Sequence, residues 1–279
     1  MTATSPTAGT GTPWGPALLF CPADRPDRFA KAAERADAVI LDLEDAVAPE
    51  RKAQARAALR AEPLDPTRTI VRVNAVDSPE FEADLEALVG TDYRTVMLAK
   101  AESPAQVARL GGFEVIALCE TALGVVAAPE IAAVPAVRAL MWGAEDLLAS
   151  LGGTSSRAAD GSYREVARHA RAAVLLAAGA HGKSAIDAVY LDIADLDGLA
   201  VEAADANASG FNATACIHPG QVETIRAAYR PSPDQITWAR ELLAAAAEQP
   251  GVFTHRGQMV DEPVLRHART VLARTGELA

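Results

Sequence analysis

The sequence predicts an α/β protein that folds as one (β/α)8 TIM barrel with a helical C-terminal extension. Short β-rich runs alternate along the chain with helical stretches rich in Ala, Arg and Glu, which is the pattern of a parallel sheet covered by helices. The length of 279 residues is close to the usual size of one such barrel. Half of the residues are hydrophobic and only 5% are aromatic, as buried parallel strands under alanine-rich helices require.

Eight β-rich runs supply the predicted strands, and eight parallel strands close a barrel. Each run is apolar and is followed by polar or Gly-containing residues that end it. In chain order the predicted strands cover residues 17–22, 38–45, 69–74, 95–100, 115–120, 137–143, 184–191 and 212–218.

Three segments depart from the strand and helix repeat. Residues 1–16 are rich in Thr, Gly and Pro and lack the pattern of a signal peptide, so we predict a disordered leader. Residues 152–161 form a Gly, Ser and Asp-rich loop, and long loops after barrel strands are where sites are built. We assign residues 17–248 to the catalytic barrel and residues 249–279 to a C-terminal extension that acts as a lid or an oligomer contact.

The charge and the cysteines exclude several classes of protein. A formal charge of −11 argues against general binding to nucleic acid or to anionic membranes, which need a basic surface. Cys21, Cys119 and Cys216 are odd in number, far apart and each within an apolar run, so they predict reduced core thiols rather than disulfides or a zinc site. We expect a cytoplasmic protein.

Acidic side chains follow several predicted strands at the end where a barrel places its reacting groups. Glu120 closes strand five, and Asp146 comes shortly after strand six. Carboxylates without Cys or His neighbours favour a hard cation, and Mg²⁺ needs only one or two of them. Glu120 and Asp146 are therefore the predicted metal ligands. The alternative is that each acid caps the helix that follows it.

Strands two and three carry a second polar group. The sequence predicts that alternation places Asp42 with Glu44, and Arg72 with Asn74, on one face of their strands, so that these side chains converge on one mouth. A guanidinium within an apolar strand needs an anionic partner, which is either a ligand or, in the alternative, Glu44. Asp42, Glu44 and Asp45 either pair with such cations or orient the waters of the metal.

Five motifs in order resemble one known family. They are L-D-L-E-D-A-V at 41–47, V-R-V-N at 71–74, C-E-T-A-L-G at 119–124, W-G-A-E-D-L at 142–147 and I-H-P-G-Q at 217–221. Together they resemble the citrate lyase β subunit-like enzymes of the HpcH/HpaI aldolase superfamily, over nearly all of the chain after residue 16.

The resemblance implies a carbon–carbon lyase acting on a β-hydroxyacyl-CoA such as citramalyl-CoA, malyl-CoA or a related hydroxyglutaryl-CoA. The products are an acyl thioester, usually acetyl-CoA, and an α-keto acid or related carbonyl compound. By this likeness Glu120 and Asp146 hold Mg²⁺, with Mn²⁺ as the alternative ion, and Glu120 also takes part in substrate binding. Arg72 binds the enolate oxygen, and we count Glu44 and Asp45 among the catalytic residues.

The resemblance also implies a proton donor and an oligomer. Stand-alone members of the family use an aspartate of a C-terminal segment to protonate the enolate, and Asp261 is that residue in this sequence. In relatives this aspartate reaches a neighbouring subunit, so we expect a homo-oligomer, with a trimer favoured. Arg25 and Lys31 stand where the family binds CoA phosphates. The alternative for Asp261 is that it caps the helix beginning at Pro263.

Three other functions stay open at this point. One is a class II pyruvate aldolase that cleaves free 4-hydroxy-2-keto acids and needs neither Asp261 nor CoA. Another is a citrate lyase subunit that depends on an acyl carrier protein. The third is a barrel without catalytic activity, since a fold alone does not guarantee chemistry.

Overall fold

The computed structural model describes residues 13–249 and 251–275. Eight parallel strands pair in sequential order, and β8 pairs with β1 to close the barrel. The strands are β1 (Ala17–Pro22), β2 (Ala38–Asp42), β3 (Thr69–Val73), β4 (Thr95–Leu98), β5 (Glu114–Cys119), β6 (Val137–Trp142), β7 (Ser184–Asp187) and β8 (Ala213–Cys216). The predicted (β/α)8 fold is confirmed.

Helices follow the strands throughout. They are α1 (Phe29–Arg35), α2 (Lys52–Ala61), α3 (Phe81–Leu88), α4 (Pro104–Ala108), α5 (Ala122–Val126), α6 (Ala128–Ala132), α7 (Ala144–Ser150), α8 (Glu165–Ala180), α9 (Leu196–Ser209), α10 (Val222–Tyr229), α11 (Pro233–Glu248) and α12 (Glu262–Ala273). Short 3₁₀ turns cover Pro26–Arg28, Pro49–Arg51, Pro66–Arg68 and Pro219–Gln221.

The barrel interior is filled by apolar side chains from its strands, among them Ile40, Ile70 and Met97. Trp14 belongs to the same cluster and is only 4% exposed. The predicted leader is therefore wrong at its end, because burial of an indole holds the chain in place before β1 begins. Residues 1–12 of the predicted leader lie outside the described residues.

Several strands end earlier than the sequence predicts. β2 ends at Asp42 instead of residue 45, and β7 ends at Asp187 instead of residue 191. At β2 the reason is local, because the Asp42 carboxylate accepts hydrogen bonds from the backbone amides of Glu44 (2.9 Å) and Ala46 (3.1 Å). These bonds turn the chain out of the sheet and start the loop that carries Glu44 and Asp45.

The chain divides into two compact units, which part between Ala228 and Tyr229. The second unit contains α11, α12 and a hairpin, and its apolar core includes Leu242, Val260 and Leu272. The predicted domain boundary at residue 248 is therefore displaced. Helix α11 packs against α12 instead of belonging to the barrel, because its apolar side chains share that core.

A two-stranded antiparallel hairpin lies between α11 and α12, where the sequence predicts only a break in the pattern. Its strands are β9 (Phe253–His255) and β10 (Gln258–Val260). Arg256 and Gly257 between them have φ values of 47° and 79°, as a two-residue hairpin turn of the primed type requires. Among the described residues, no helix is long and apolar enough to cross a membrane.

Candidate active site

A cavity of about 250 Å³ opens beside the carboxyl ends of the barrel strands. Most of the polar side chains that the sequence predicts for the site border it, together with an apolar wall. The cavity lining includes Phe20, Asp42, Asp45, Arg72, Leu118, Glu120, Met141, Gly143, Asp146, Val189 and Ile217. The structure thus brings β2, β3, β5 and β6 together at one mouth, as expected for a barrel enzyme.

Arg72 is fixed by two carboxylates. Its Nε and Nη2 atoms donate to the two oxygens of Asp42 at 2.7 and 2.6 Å, and Nη1 lies 3.2 Å from Glu44 Oε2. Asp42 stands directly beside Arg72 in the register of β2 and β3. Burial alone would lower the pKa of the guanidinium, but Asp42 and Glu44 raise it, so Arg72 stays charged beside the cavity. The alternative ion pair with Glu44 is thus present, together with a bidentate pair with Asp42.

Asn74 supports the site from behind rather than converging on the cavity as predicted. The strand ends at Val73, and the Asn74 side chain donates to the Leu43 carbonyl (3.0 Å) and to Asp84 (2.6 Å). The ammonium of Lys52 donates to the carbonyls of Leu43 (2.7 Å) and Glu44 (3.0 Å) and to Asn74 Oδ1 (3.0 Å). These buried bonds fix the loop after β2.

Lys52 and Asp84 are site-supporting residues that the sequence reasoning missed. Both lie in helices, α2 and α3, where a charged residue in an amphipathic pattern is normally a solvated one. The pattern carries no sign that Lys52 is only 8% exposed and Asp84 fully buried. Only the packing of the helices on the barrel reveals it.

Glu120 follows β5 and is 3% exposed. The backbone amide of Lys100 donates to its Oε1 atom at 3.1 Å. Burial, together with the carboxylate of Asp146, raises the pKa of Glu120 to about 8. A cation between the two carboxylates would relieve both effects, so the pair has the electrostatics of a cation site.

The helix-capping alternative fails for Glu120. Thr121 caps α5 instead, since its hydroxyl oxygen accepts from the Gly124 amide at 3.0 Å. Gly143 occupies the cap position of α7, and Asp146 lies in the first turn of that helix without capping it. Both predicted ligands therefore have oxygen atoms available at the cavity.

The donor set fits Mg²⁺ better than a transition metal. Within residues 13–249 and 251–275, no group of three or more His, Cys, Asp or Glu side chains is arranged to hold a metal. Mg²⁺ is commonly bound by one or two carboxylates and completes its shell with water and substrate oxygens. Glu120 and Asp146 meet that requirement.

Lys100 joins the carboxylates of the site. Its ammonium forms a short contact with Glu44 and lies 3.5 Å from Asp45 and 3.4 Å from Asp146. Burial alone would lower the pKa of Lys100, but the carboxylates, Glu44 first, raise it. Burial raises the pKa of Glu44, against the effect of Arg72 and Lys100. Glu44 is thus a carboxylate held between two cations.

The predicted loop at 152–161 is attached to the site. The Ser156 hydroxyl donates to Glu145 at 2.6 Å, which links the loop to α7. Tyr163, which follows the loop, stacks edge-on against Trp142 with ring centroids 5.2 Å apart and donates to Glu202 at 2.8 Å. The loop therefore rests on β6, the strand that leads to Gly143.

The remaining predicted residues, Arg25, Lys31 and Asp261, form other contacts among the described residues. Arg25, after β1, forms an exposed ion pair with Asp27 at 3.3 Å, and Lys31 is exposed on α1. Asp261 belongs to the C-terminal unit, where its carboxylate accepts from the Val264 amide at 3.3 Å and caps α12. The capping alternative for Asp261 is thus present. It does not exclude a second role, since a cap residue keeps a second oxygen.

A closed α/β barrel with a largely buried arginine and two acidic side chains beside a cavity at the carboxyl ends of its strands is typical of one class, the barrel enzymes with an acidic site. The family model described as HpcH/HpaI aldolase/citrate lyase matches residues 17–219. The chain belongs to this family, and it is a lyase.

Relatives agree along nearly the whole chain. A citrate lyase subunit beta-like protein of Mycobacterium tuberculosis is 60% identical over 94% of this chain and 96% of its own length. The mitochondrial citramalyl-CoA lyase of Homo sapiens is 34% identical over 92% of this chain and 84% of its own. A crystal structure of CitE from Mycobacterium tuberculosis in complex with magnesium, acetoacetate and coenzyme A matches with a TM-score of 0.91 at 60% identity, over 94% of this chain and 98% of that one.

Proposed function

We propose that this chain is a Mg²⁺-dependent lyase that cleaves a β-hydroxyacyl-CoA into acetyl-CoA and an α-keto acid. The observation that carries the proposal is the arrangement at the cavity, where a fixed guanidinium and two buried or half-buried carboxylates face the same space. The crystal structure of the related CitE contains magnesium and coenzyme A, which supports a metal ion and a CoA thioester as the groups bound by this chain. Citramalyl-CoA is our first choice of substrate and malyl-CoA the second.

Glu120 and Asp146 would hold the metal. When bound there, Mg²⁺ would supply a Lewis acid that lowers the pKa of the substrate hydroxyl and polarises the carbonyl that forms. The space for the Glu120 carboxylate exists because Gly143 has no side chain. The Lys100 amide then orients that carboxylate.

Arg72 provides the positive charge for the departing thioester enolate. Bond cleavage leaves negative charge on the thioester oxygen, and a donor already fixed in position stabilises this charge without reorganisation. Asp42 supplies that fixation through two hydrogen bonds, and the Phe20 ring lies 4.8 Å from the guanidinium carbon. Glu44, beside Arg72, and Asp45, beside Lys100, are the catalytic acids that we expect to orient water near the reacting atoms.

Asp261 is our candidate for the acid that protonates the enolate carbon. We further propose that it serves a neighbouring subunit, in a homo-oligomer that is most simply a trimer. Family likeness supports this assignment, and its carboxylate is near the start of α12 in the C-terminal unit. We place Arg25 and Lys31 against CoA phosphates, because cations after β1 would offset the negative charge of the chain locally.

The apolar wall bears on the choice of acyl group. Leu118, Met141, Val189 and Ile217 line the cavity. Such a wall accommodates the methyl group of a citramalyl chain, but a methyl group changes binding by only about 1 to 3 kcal/mol, so both thioesters are expected to react. Three buried, free cysteines agree with a cytoplasmic setting, which we also propose.

The test is Mg²⁺-dependent turnover of citramalyl-CoA and malyl-CoA, with acetyl-CoA, free CoA and keto acid measured together. We expect acetyl-CoA and keto acid in equal amounts, lost on chelation and in Glu120→Gln and Asp146→Asn. Free CoA with intact hydroxy acid would instead show thioester hydrolysis. Activity confined to free 4-hydroxy-2-keto acids would favour the pyruvate aldolase, and activity only on a carrier-protein thioester would favour the citrate lyase subunit.

Asp261→Asn separates the two roles of that residue. Asparagine caps helices as well as aspartate does, so α12 and the stability of the chain should be preserved while the acid is lost. We expect turnover to fall at least about a hundredfold. Glu262→Gln is the matched control, because this neighbouring carboxylate pairs only with Arg269 on the same helix among the described residues. Equal activity in Asp261→Asn and wild type would remove Asp261 from the mechanism.

A further inference from the structure

Lys100 contacts both proposed metal ligands through two different atoms. Its backbone amide donates to Glu120 Oε1 at 3.1 Å, and its ammonium lies 3.4 Å from Asp146 Oδ1. One residue thus orients one ligand and carries a positive charge beside the other. The Mg²⁺ chemistry described above assigns no role to this charge.

The backbone of Lys100 is held in an unusual conformation. Its φ is 50°, in the left-handed region that side chains other than glycine rarely adopt. The neighbouring amides hold it there, since Ala99 donates to the Val73 carbonyl at 3.4 Å and Ala101 to the Leu118 carbonyl at 3.0 Å. Backbone strain that is held in place from both sides is typical of residues at functional sites.

Three carboxylates contact the single positive charge of Lys100. Glu44, Asp45 and Asp146 surround its ammonium. Arg72, the other cation of the site, is bound to Asp42 and Glu44. Among the described residues, Lys100 forms the single ion pair of Asp146. The Lys100 side chain is 32% exposed, so it has space to move away from that carboxylate.

We propose that the Lys100 ammonium competes with the metal ion for Asp146 and thereby sets the affinity of the site. The inference rests on the proposed function, because it takes Glu120 and Asp146 as the Mg²⁺ ligands. A divalent ion bound to these carboxylates repels the ammonium, which then remains with Glu44 and Asp45. Metal affinity is lower than the two carboxylates alone would give, and metal release is correspondingly easier.

The test is the Mg²⁺ dissociation constant, measured by titration calorimetry on Lys100→Met and Lys100→Gln. Both variants keep a backbone amide for Glu120 and remove the charge. A unit charge a few ångström from a divalent ion changes affinity about tenfold even at the dielectric constant of water, so we expect binding about tenfold tighter. The difference should shrink as salt rises, because the repulsion is screened. Lys100→Arg retains the charge and should bind Mg²⁺ within about threefold of wild type.

Lys183→Met is the matched control. It removes the same charge directly before β7, at the opposite end of the barrel strands from the cavity, and should leave the Mg²⁺ dissociation constant unchanged. Unchanged or weaker binding in both neutral Lys100 variants, with native circular dichroism, overturns the role of Lys100 and leaves the lyase assignment intact. Absence of Mg²⁺ binding by the wild type, with no thioester cleavage, overturns both proposals. If one neutral variant fails to fold, the other decides.

Discussion

Replacing Gly143 by alanine tests whether shape holds the Glu120 carboxylate in position. A Cβ atom on Gly143 would lie 2.8 Å from Glu120 Oε2 and 2.9 Å from Glu120 Cβ. Two strands fix these residues opposite each other, since Cys119 and Trp142 are partners in the register of β5 and β6. The added methyl group therefore forces the Glu120 carboxylate to move, and because the Glu120 Cβ is fixed by the backbone, the ends of β5 and β6 have to separate slightly as well.

The size of the movement follows from the contact distances. Carbon atoms in contact are about 3.5 Å apart at their closest, so the Glu120 Cβ at 2.9 Å has to shift by about 0.6 Å, and the carboxylate shifts with it. Overpacking of this kind costs about 1 to 3 kcal/mol of unfolding free energy. Displacing a metal ligand or its support typically weakens metal binding about 10- to 100-fold. We expect Gly143→Ala to lower the unfolding free energy and to weaken Mg²⁺ binding, with the larger effect on the Mg²⁺ dissociation constant.

Gly179→Ala is the matched control for this substitution. Gly179 lies in α8, and a Cβ there would meet no atom within 4 Å. The control should raise the unfolding free energy by about 0.4 to 1 kcal/mol and leave Mg²⁺ binding alone. Urea unfolding and titration calorimetry measure the two quantities. If Gly143→Ala binds Mg²⁺ with the wild-type dissociation constant, Glu120 is either not confined by Gly143 or not a ligand, and the argument fails.

Three further substitutions or treatments probe the groups around the site. Asp42→Ala removes the bidentate partner of a buried guanidinium and should lower the unfolding free energy by about 3 to 5 kcal/mol in urea, and a loss below about 1 kcal/mol would contradict the importance of the Arg72 pair. Lys52→Met removes three hydrogen bonds that hold the loop bearing Glu44, so we expect kcat to fall at least about tenfold while the Mg²⁺ dissociation constant stays the same, and weaker metal binding would show that the loop also orders the metal ligands. Burial raises the pKa of the three cysteine thiols to about 11 or about 12, so at pH 8 iodoacetamide should label none in the native protein and all three in urea, and mass spectrometry would expose any reactive native thiol.

The fold, and the position of the two proposed metal ligands at the cavity, could be predicted from local pattern, because both depend on residues close together in the chain. An apolar run that ends in a carboxylate places that carboxylate at the barrel mouth whatever the neighbouring strand contains. Glu120 is such a case, and it lies at the cavity as expected. The hairpin of β9 and β10 is also local, but the sequence does not predict it, because Arg256 and Gly257 do not form one of the dipeptides that usually mark such a turn.

The partners of the site residues could not be predicted, because they depend on register between strands and on helix packing. Nothing in the sequence shows that Asp42 stands directly beside Arg72, so the choice between an anionic ligand, Glu44 and Asp42 as its partner stays open without the strand register. Lys52 is a comparable case, since it looks like an ordinary helix charge until α2 is placed against the loop after β2. The sequence indicates which polar residues lie at the barrel mouth, whereas their hydrogen bonds and ion pairs follow from the three-dimensional fold.

The bonds to Arg72 also explain why its site needs a second cation. Asp42 occupies Nε and Nη2, and the remaining Nη1 faces Glu44 at 3.2 Å. Nη1 carries two N–H groups, so an enolate oxygen that binds to it lies beside the Glu44 carboxylate and is repelled by its negative charge. Lys100 pairs with the other carboxylate oxygen of Glu44 and so offsets the negative charge of Glu44 beside Nη1. A neutral residue at position 100 should accordingly bind Mg²⁺ more tightly and yet turn over more slowly, a divergence between affinity and rate that separates this arrangement from one in which Lys100 only supports the fold.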